Sequence, residues 1–532
     1  MRKLLRRTKC SSQRHGGDGD SLKIALAQIN TTVGDLTGNI ARILDAARKA
    51  RDADLIVFPE LVVPGYPPRD ILYDASFVEA VLAATEDLVR QSKGLPPMLV
   101  GSFAPSGKKL LLHPALHNIA YLIHDGEMQV AQIKQLLPVY DVFYEPRWFV
   151  PGEKTLPPIE IAGKKIGVLI CEDMWDEDYP VHPGAELKAM GADALVCMSA
   201  APYHKGSLQD RVYHASRQGL PIAFVDLVGG NDELVFDGGS FILGHGKLNR
   251  FEEQVQVFDW NLERNEWNIE RETVEDIFHA LVLGLRDFAR KNGLQHAFLG
   301  LSGGIDSSVA AVIASEALGA ENVTGVAIPS RYTDPRSTEA ARELASNLGI
   351  GFEVVELETL HRAAESTLGV RAEGVGGENL QARLRMMILM SCVNQRGGFL
   401  VNTSNKTELT LGYSTLYGDM AGAISPLGDV TKPEVYELAR WINGWGVESG
   451  KWKAAPIPAF AIERKPSAEL KPEQVDPFDY DTLAPMLEKM VLANESNSAM
   501  RASEHKRGQM GVVLKVSEKA FGSGRMMPIT RK

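Results

Sequence analysis

The stretch HAFLGLSGGIDSS (296–308) decides how this chain is read. HAFLGLS is a short apolar run of strand length, and a helical pattern begins near Ser307, so the order is strand, glycine turn, helix. Gly303 and Gly304 would let the backbone approach a pyrophosphate closely, while the loop amides and the helix amino end supply donors and a favourable dipole. Ser302, Ser307 and Ser308 add hydroxyl donors. Asp306 would repel phosphate oxygen directly, so its natural role is to hold a Mg2+ ion bridging the phosphates. The spacing is not that of the GxxxxGK[ST] loop, which transfers a γ-phosphoryl group. Taken alone, a Ser/Gly turn is also a common helix cap.

Outward from this loop, the second half alternates strands and helices. NVTGVAIP (322–329), GFEVVEL (351–357) and GFLVNTS (398–404) read as further strands, with helices over 307–319, 335–348, 379–396 and 433–443. This predicts a doubly wound parallel sheet with ligands at the carboxyl ends of its strands. From Pro456 the pattern weakens, and the remainder is expected to wrap or close the domain rather than build core.

The first half alternates in the same way. Its strands are LKIALAQI (22–29), ADLIVFPE (53–60), PMLVGSFA (97–104), HNIAYLI (117–123), KKIGVLICE (164–172), DALVCMSA (193–200) and PIAFVDLV (221–228). Helices fill 39–52, 76–92, 184–190 and 208–218, which indicates an α/β layered domain. The expected division is a flexible basic tail over 1–20, a first domain over 21–260, a linker over 261–272 and a second domain over 273–532. A chain of 532 residues exceeds what one core organises. No repeat with a period of about 20–50 residues appears.

A 44% hydrophobic and 23% charged composition is that of an ordinary globular protein, and no apolar run is long enough to span a membrane. A formal net charge of -11 argues against nucleic acid or an anionic membrane as the main partner. Cys10, Cys171, Cys197 and Cys392 are too few and too scattered for a disulfide framework or a zinc motif, and a cytoplasmic setting is expected.

Three reactive residues of the first half stand at or just after apolar strands: Glu60, Lys134 and Cys171. A thiol at the end of a buried strand needs a base or cation nearby to attack at neutral pH. A cysteine on an apolar strand is more often inert core, and Cys197 fits that description. A Glu or Lys at a strand end is more often a solvated loop residue.

FPEL around Glu60, KxxLPxYxxFxE from Lys134 to Glu145, and CEDMW from Cys171 together resemble the nitrilase superfamily, and more narrowly the glutaminase domain of NAD synthetases. GGNDELVFDGGS (229–240) adds to the narrower likeness, which covers about 22–260. The resemblance implies an α-β-β-α sandwich. It implies Glu60 as general base, Cys171 as nucleophile and Lys134 as stabiliser of the oxyanion. Glu145 would position these groups, and glutamine would be held by Tyr140, Glu145, Ala201 and Ser207. The glutamine loop of that family usually reads like SPYxxGK; here it is APYHKGS, with Ala201 and Ser207 at the two expected polar positions and Lys205 as the available cation.

SGGxDS in its strand–loop–helix setting resembles the ATP pyrophosphatases, and the later motifs single out the NAD synthetases among them. These are PSRYT (329–333), ENLQAR (378–383), TSNKTEL (403–409), GYSTLYGDMAG (412–422) and IERKPSAEL (462–470). By this resemblance ATP is bound by Gly300, Leu301, Ser302, Gly303, Gly304, Ile305, Asp306, Ser307 and Thr403. Deamido-NAD is bound by Asn379, Glu408 and Lys515, and Mg2+ by Asp306 and Glu408. Lys406 would neutralise phosphate, and Tyr413, Tyr417 and Asp419 would shape the dinucleotide site. The tail 505–529 has MGVVLK where the family carries an APPGPK-like piece, which shifts the context of Lys515. The implied activity is amidation of deamido-NAD with ammonia from glutamine, in a homo-oligomer that binds neither nucleic acid nor membrane. The alternatives are a nitrilase-type amidohydrolase fused to another ammonia-using ATP pyrophosphatase, a hydrolase whose second half only binds nucleotide, and a non-catalytic nucleotide sensor.

Overall fold

The computed structural model describes residues 21–530 apart from 111, 112, 265, 266, 268, 270 and 370–373, so the expected tail over 1–20 lies outside the described residues. The chain divides into two compact units. One runs to Asn231 and resumes over Phe236–Arg271, and the other comprises Asp232–Val235 and the chain from Glu272 onward.

The first unit holds two six-stranded sheets. One has the order Gln254–Trp260, Leu22–Gln28, Leu55–Val57, Met98–Leu110, His113–His124, Glu127–Ile133; the other has Gly246–Lys247, Phe241–Ile242, Ile222–Val225, Ala194–Met198, Lys164–Ile170, Ile159–Ile161. Alternation along the strands decides what lies between them. Ile24, Val57 and Leu99 from the first sheet form one buried core with Val168, Val196 and Val225 from the second. The opposite face of the second sheet, with Leu169, Cys197 and Phe224, packs on Val212 and Ala215 of helix Ser207–Arg217. Helix Ala75–Gln91 covers Met98–Leu110 of the first sheet. The result is the α-β-β-α sandwich, and Cys197 is inert core in its outer layer. Helix Leu36–Lys49 starts three residues before its expected position, because the Asp35 side chain accepts from Gly38 N and caps it there. The strand Glu127–Ile133 was not foreseen; its sequence EMQVAQI alternates polar and apolar residues as a half-covered strand does.

The second unit is built on a four-stranded parallel sheet, in the order Gly351–Val354, Val323–Ala327, Ala297–Gly300, Phe399–Leu400. The chain moves outward in one direction through the first three strands and then returns to the far side of Ala297–Gly300. That reversal leaves a crevice beyond the carboxyl ends of Ala297–Gly300 and Phe399–Leu400, where such folds bind ligands. One expectation fails here. The chain beyond Pro456 does form core, since Leu487, Val491, Met500 and Phe521 pack with Leu409 and Met420 as a second buried cluster. Helix Tyr480–Leu492 presents these apolar residues on one face, and its Pro and Glu content had concealed that stripe.

Candidate active sites in the two units

Three strand ends of the first unit deliver its reactive groups. Glu60 follows Leu55–Val57, Lys134 directly follows Glu127–Ile133, and Cys171 directly follows Lys164–Ile170. The strand turn at Glu60 fits closely under its neighbour: a Cβ on Gly101 would stand 2.4 Å from Leu61 N and 2.6 Å from Pro59 O. Cys171 itself has φ +47°, a left-handed conformation that turns the thiol out of the strand and is sustained only by its surroundings.

The ammonium of Lys134, fully buried, donates to Glu60 Oε1 and Glu145 Oε1, each at 2.8 Å. Asn118 Nδ2 donates to the same Glu60 oxygen at 2.7 Å, and Tyr66 OH to Glu145 Oε1 at 3.4 Å. The second Glu60 oxygen, Oε2, is buried and accepts no hydrogen bond among the described residues. Ser199 Oγ donates to Cys171 Sγ at 3.4 Å. The structure therefore brings together the three residues predicted to react.

The electrostatics follow from burial. The Cys171 thiol is pushed well above its ordinary range by burial and by the Glu60 carboxylate, against the pull of Lys134. Burial alone would lower Lys134, but Glu145 and Glu60 more than reverse it and keep the ammonium charged. Glu145 is raised to about 7 by burial, with Lys134 opposing. Such a site holds a protonated thiol beside a permanent cation and a carboxylate with an open oxygen, which is an arrangement for general-base attack on a carbonyl.

Of the residues expected to grip glutamine, Glu145 stands beside Lys134. Tyr140, 50% exposed, donates from its hydroxyl to Glu172 Oε2 at 2.9 Å, and Tyr179 OH donates to Glu172 Oε1 at 2.8 Å. Ala201 is held through its amide by Asp226 Oδ1 (2.8 Å) and through its carbonyl by Arg211 Nη2 (2.9 Å). Ser207 opens its helix, with a buried Oγ that has no hydrogen-bond partner among the described residues; Lys205 is exposed. Sequence reading passed over Glu172, although it lies inside CEDMW, and over Asn118, whose amide is one polar group in the apolar run HNIAYLI.

In the second unit, a cleft of about 280 Å3 lies at the crevice of the sheet. Gly300, Leu301, Ser302, Asp306, Ser307 and Thr403 line it, with Glu408, Tyr413 and Asp419; Gly304 and Ile305 line a neighbouring recess with Lys432 and Arg464. The loop serines organise the turn. Gly304 N donates to Ser302 Oγ, Ser302 Oγ and Ser307 Oγ lie 3.1 Å apart, and Ser308 Oγ donates to Gly304 O. Gly303 has φ +74° and a Cβ there would meet Ser337 O at 2.1 Å, so only glycine fits; Gly304, at φ -90°, has no such need.

Asp306 pairs with the ammonium of Lys432, which also reaches Glu408 Oε1 at 3.5 Å, and Asn405 Nδ2 donates to Asp306 Oδ1 at 2.9 Å. Burial raises Glu408 to about 7, with Lys432 opposing and Asp306 reinforcing the shift. Burial likewise lifts Asp419 to about 6. Lys432 was missed, although Thr431 and Glu434 form a capping box that marks the start of its helix. Lys406 corrects an expectation. Its ammonium is enclosed by Asp429 (3.0 Å), Glu488 (3.2 Å) and Ser517 Oγ (2.7 Å), so it neutralises buried carboxylates and does not line the cleft. Neither Asn379, which accepts from Thr415 Oγ1, nor Lys515, whose Nζ donates to Ser517 O, lines the cleft. Tyr417 is 70% exposed.

Known proteins share this two-part arrangement. Residues 277–520 match the family described as NAD synthase, and residues 23–246 the family described as carbon-nitrogen hydrolase. The glutamine-dependent NAD(+) synthetase of Thermotoga maritima is 36% identical, with 96% of this chain and 99% of that protein covered. The chain belongs to the glutamine-dependent NAD(+) synthetase family. The Synechocystis member of the family is 38% identical, covering 96% of this chain and 98% of its own. The solved structure of the Acinetobacter baumannii glutamine-dependent NAD+ synthetase in complex with ADP is 32% identical and superposes with a TM-score of 0.76, over 96% of this chain and 98% of that one. Among the described residues, no helix is long and apolar enough to cross a membrane.

Proposed function

We propose that this chain converts deamido-NAD+ to NAD+ at the expense of ATP, releasing AMP and pyrophosphate, with ammonia cut from glutamine in its first unit. The observation that carries the reading is the contact of the Lys134 ammonium with Glu60 and Glu145 beside the Cys171 thiol, in a chain that also holds the Asp306 loop. Glu60 takes the thiol proton as sulfur attacks the side-chain amide of glutamine, and Lys134 holds the charge that grows on oxygen. Ammonia leaves, and water hydrolyses the thioester. Tyr140, Glu145, Ala201 and Ser207 hold the glutamine, in the domain spanning 21–260.

In the synthetase domain, 273–532, the nicotinate carboxylate attacks the α-phosphorus of ATP and ammonia then displaces AMP. Activation is needed because a free carboxylate is a poor electrophile. The amides of the 302–307 turn and Lys432 face the phosphates, and Glu408, which lines the cleft, serves the dinucleotide. Asp306 and Glu408, hard oxygen donors that already share one cation, fit Mg2+. When bound, that ion would offset the phosphate charge. Ammonia in neutral water is mostly protonated and without a lone pair, which favours its passage through a protected channel. A cytoplasmic homo-oligomer completes the reading.

The test is NAD formation by Cys171→Ala with glutamine or with ammonium as nitrogen source. Synthesis is expected to vanish with glutamine and to persist with ammonium; loss of both would refute the division of labour.

A further inference from the structure

Asp173 lies two residues beyond the nucleophile, is fully buried, and has no part in the chemistry described above. Its Oδ1 accepts from Gln135 N (3.0 Å) and Leu136 N (2.9 Å), the two residues that follow Lys134. Its Oδ2 accepts from Ile170 N (3.2 Å), the residue that precedes Cys171. We propose that Asp173 is the positioning residue of the amide-cleaving site, its carboxylate tying the backbone of the cation to the backbone of the nucleophile and so fixing their mutual register. This inference rests on the glutaminase reading of the first unit.

Two features favour this role over a simple turn. The bond to Ile170 is local, but those to Gln135 and Leu136 cross more than thirty residues and tie the turn that follows a strand of one sheet to the segment that follows a strand of the other. The Lys134 backbone is also pinned elsewhere, since its N–H donates to Asn118 O and its carbonyl accepts from Gly152 N, both at 2.9 Å. Asp173 is thus the link that refers this fixed segment to the left-handed Cys171. The carboxylate is kept there at a cost. Burial raises it to about 7 even though three amides favour the charge.

The test is Asp173→Asn, in the full chain, beside Cys171→Ala. Asparagine keeps the shape but has one acceptor oxygen, so an NH2 group must face at least one backbone N–H. The expected result is a fall in kcat for glutamine hydrolysis on the order of 100-fold, the scale of a small misplacement of reacting groups. KM for glutamine should stay within about threefold, alkylation of Cys171 by chloroacetamide should slow in parallel, and NAD formation from ammonium should be unchanged. Parental kcat, an equal rise in KM alone, or equal loss with ammonium overturns the proposal. If Cys171→Ala still makes NAD from glutamine, the glutaminase reading itself has failed; if that variant is dead and Asp173→Asn is parental, only the role of Asp173 has.

Discussion

Two buried lysines of the second unit show how one residue type serves different ends. Lys406 is enclosed by Asp429, Glu488 and Ser517, whereas Lys432 faces the cleft through Asp306 and Glu408. Replacing Lys406 with Met should destabilise the protein by about 3 kcal/mol, because the buried Asp429 would lose its counter-charge and keep only the hydrogen bonds from Val516 and Ser517. Denaturant unfolding measures this, and a change within about 0.5 kcal/mol would show that the pair is not structural. In the first unit the Cys171 thiol and the Lys134 ammonium are both displaced upward, so both keep their protons beyond the neutral range. A raised value for each means that neither loses its proton as pH climbs to the ordinary thiol range. Glutamine kcat/KM should therefore be flat between about pH 7.5 and about pH 8.5, near the reference thiol value; a fall over that interval would contradict the assigned environment.

At the scale of elements, the two sites are made by strand ends, and close backbone approach decides where those ends point. Gly101, in strand Met98–Leu110, lies against the turn Pro59–Leu61 that carries Glu60. Gly101→Ala must push strand and turn apart. It should cost about 1–3 kcal/mol of stability, as overpacking does, and lower glutamine hydrolysis on the order of 100-fold. Ammonium-driven synthesis should be spared. Thermal melts and the two assays check this; parental glutaminase activity would mean that the turn tolerates the shift.

For the whole molecule, the proposed function gives the two units separable chemistry. Asp306→Ala should abolish NAD formation from glutamine and from ammonium alike, since Asp306 lines the cleft proposed to bind the nucleotide. Hydrolysis of glutamine by the first unit should continue, measured as glutamate release. Synthesis retained with either nitrogen source would remove Asp306 from the reaction.

Strand-ending Glu60 and Cys171, the SGGIDSS turn and the layered alternation of both halves were legible because they are local: each is a motif within one strand and its following loop. Lys134 was legible as a residue, though the strand that carries it was not, because EMQVAQI is only partly covered. What no local pattern contained was which charges meet. That Lys432, not Lys406, faces Asp306, that the chain beyond Pro456 builds a core, and that Asp173 joins two distant backbones depend on contacts across long stretches of chain. Strand and helix periods report which face a residue occupies; only the packing of one element on another decides what stands opposite it.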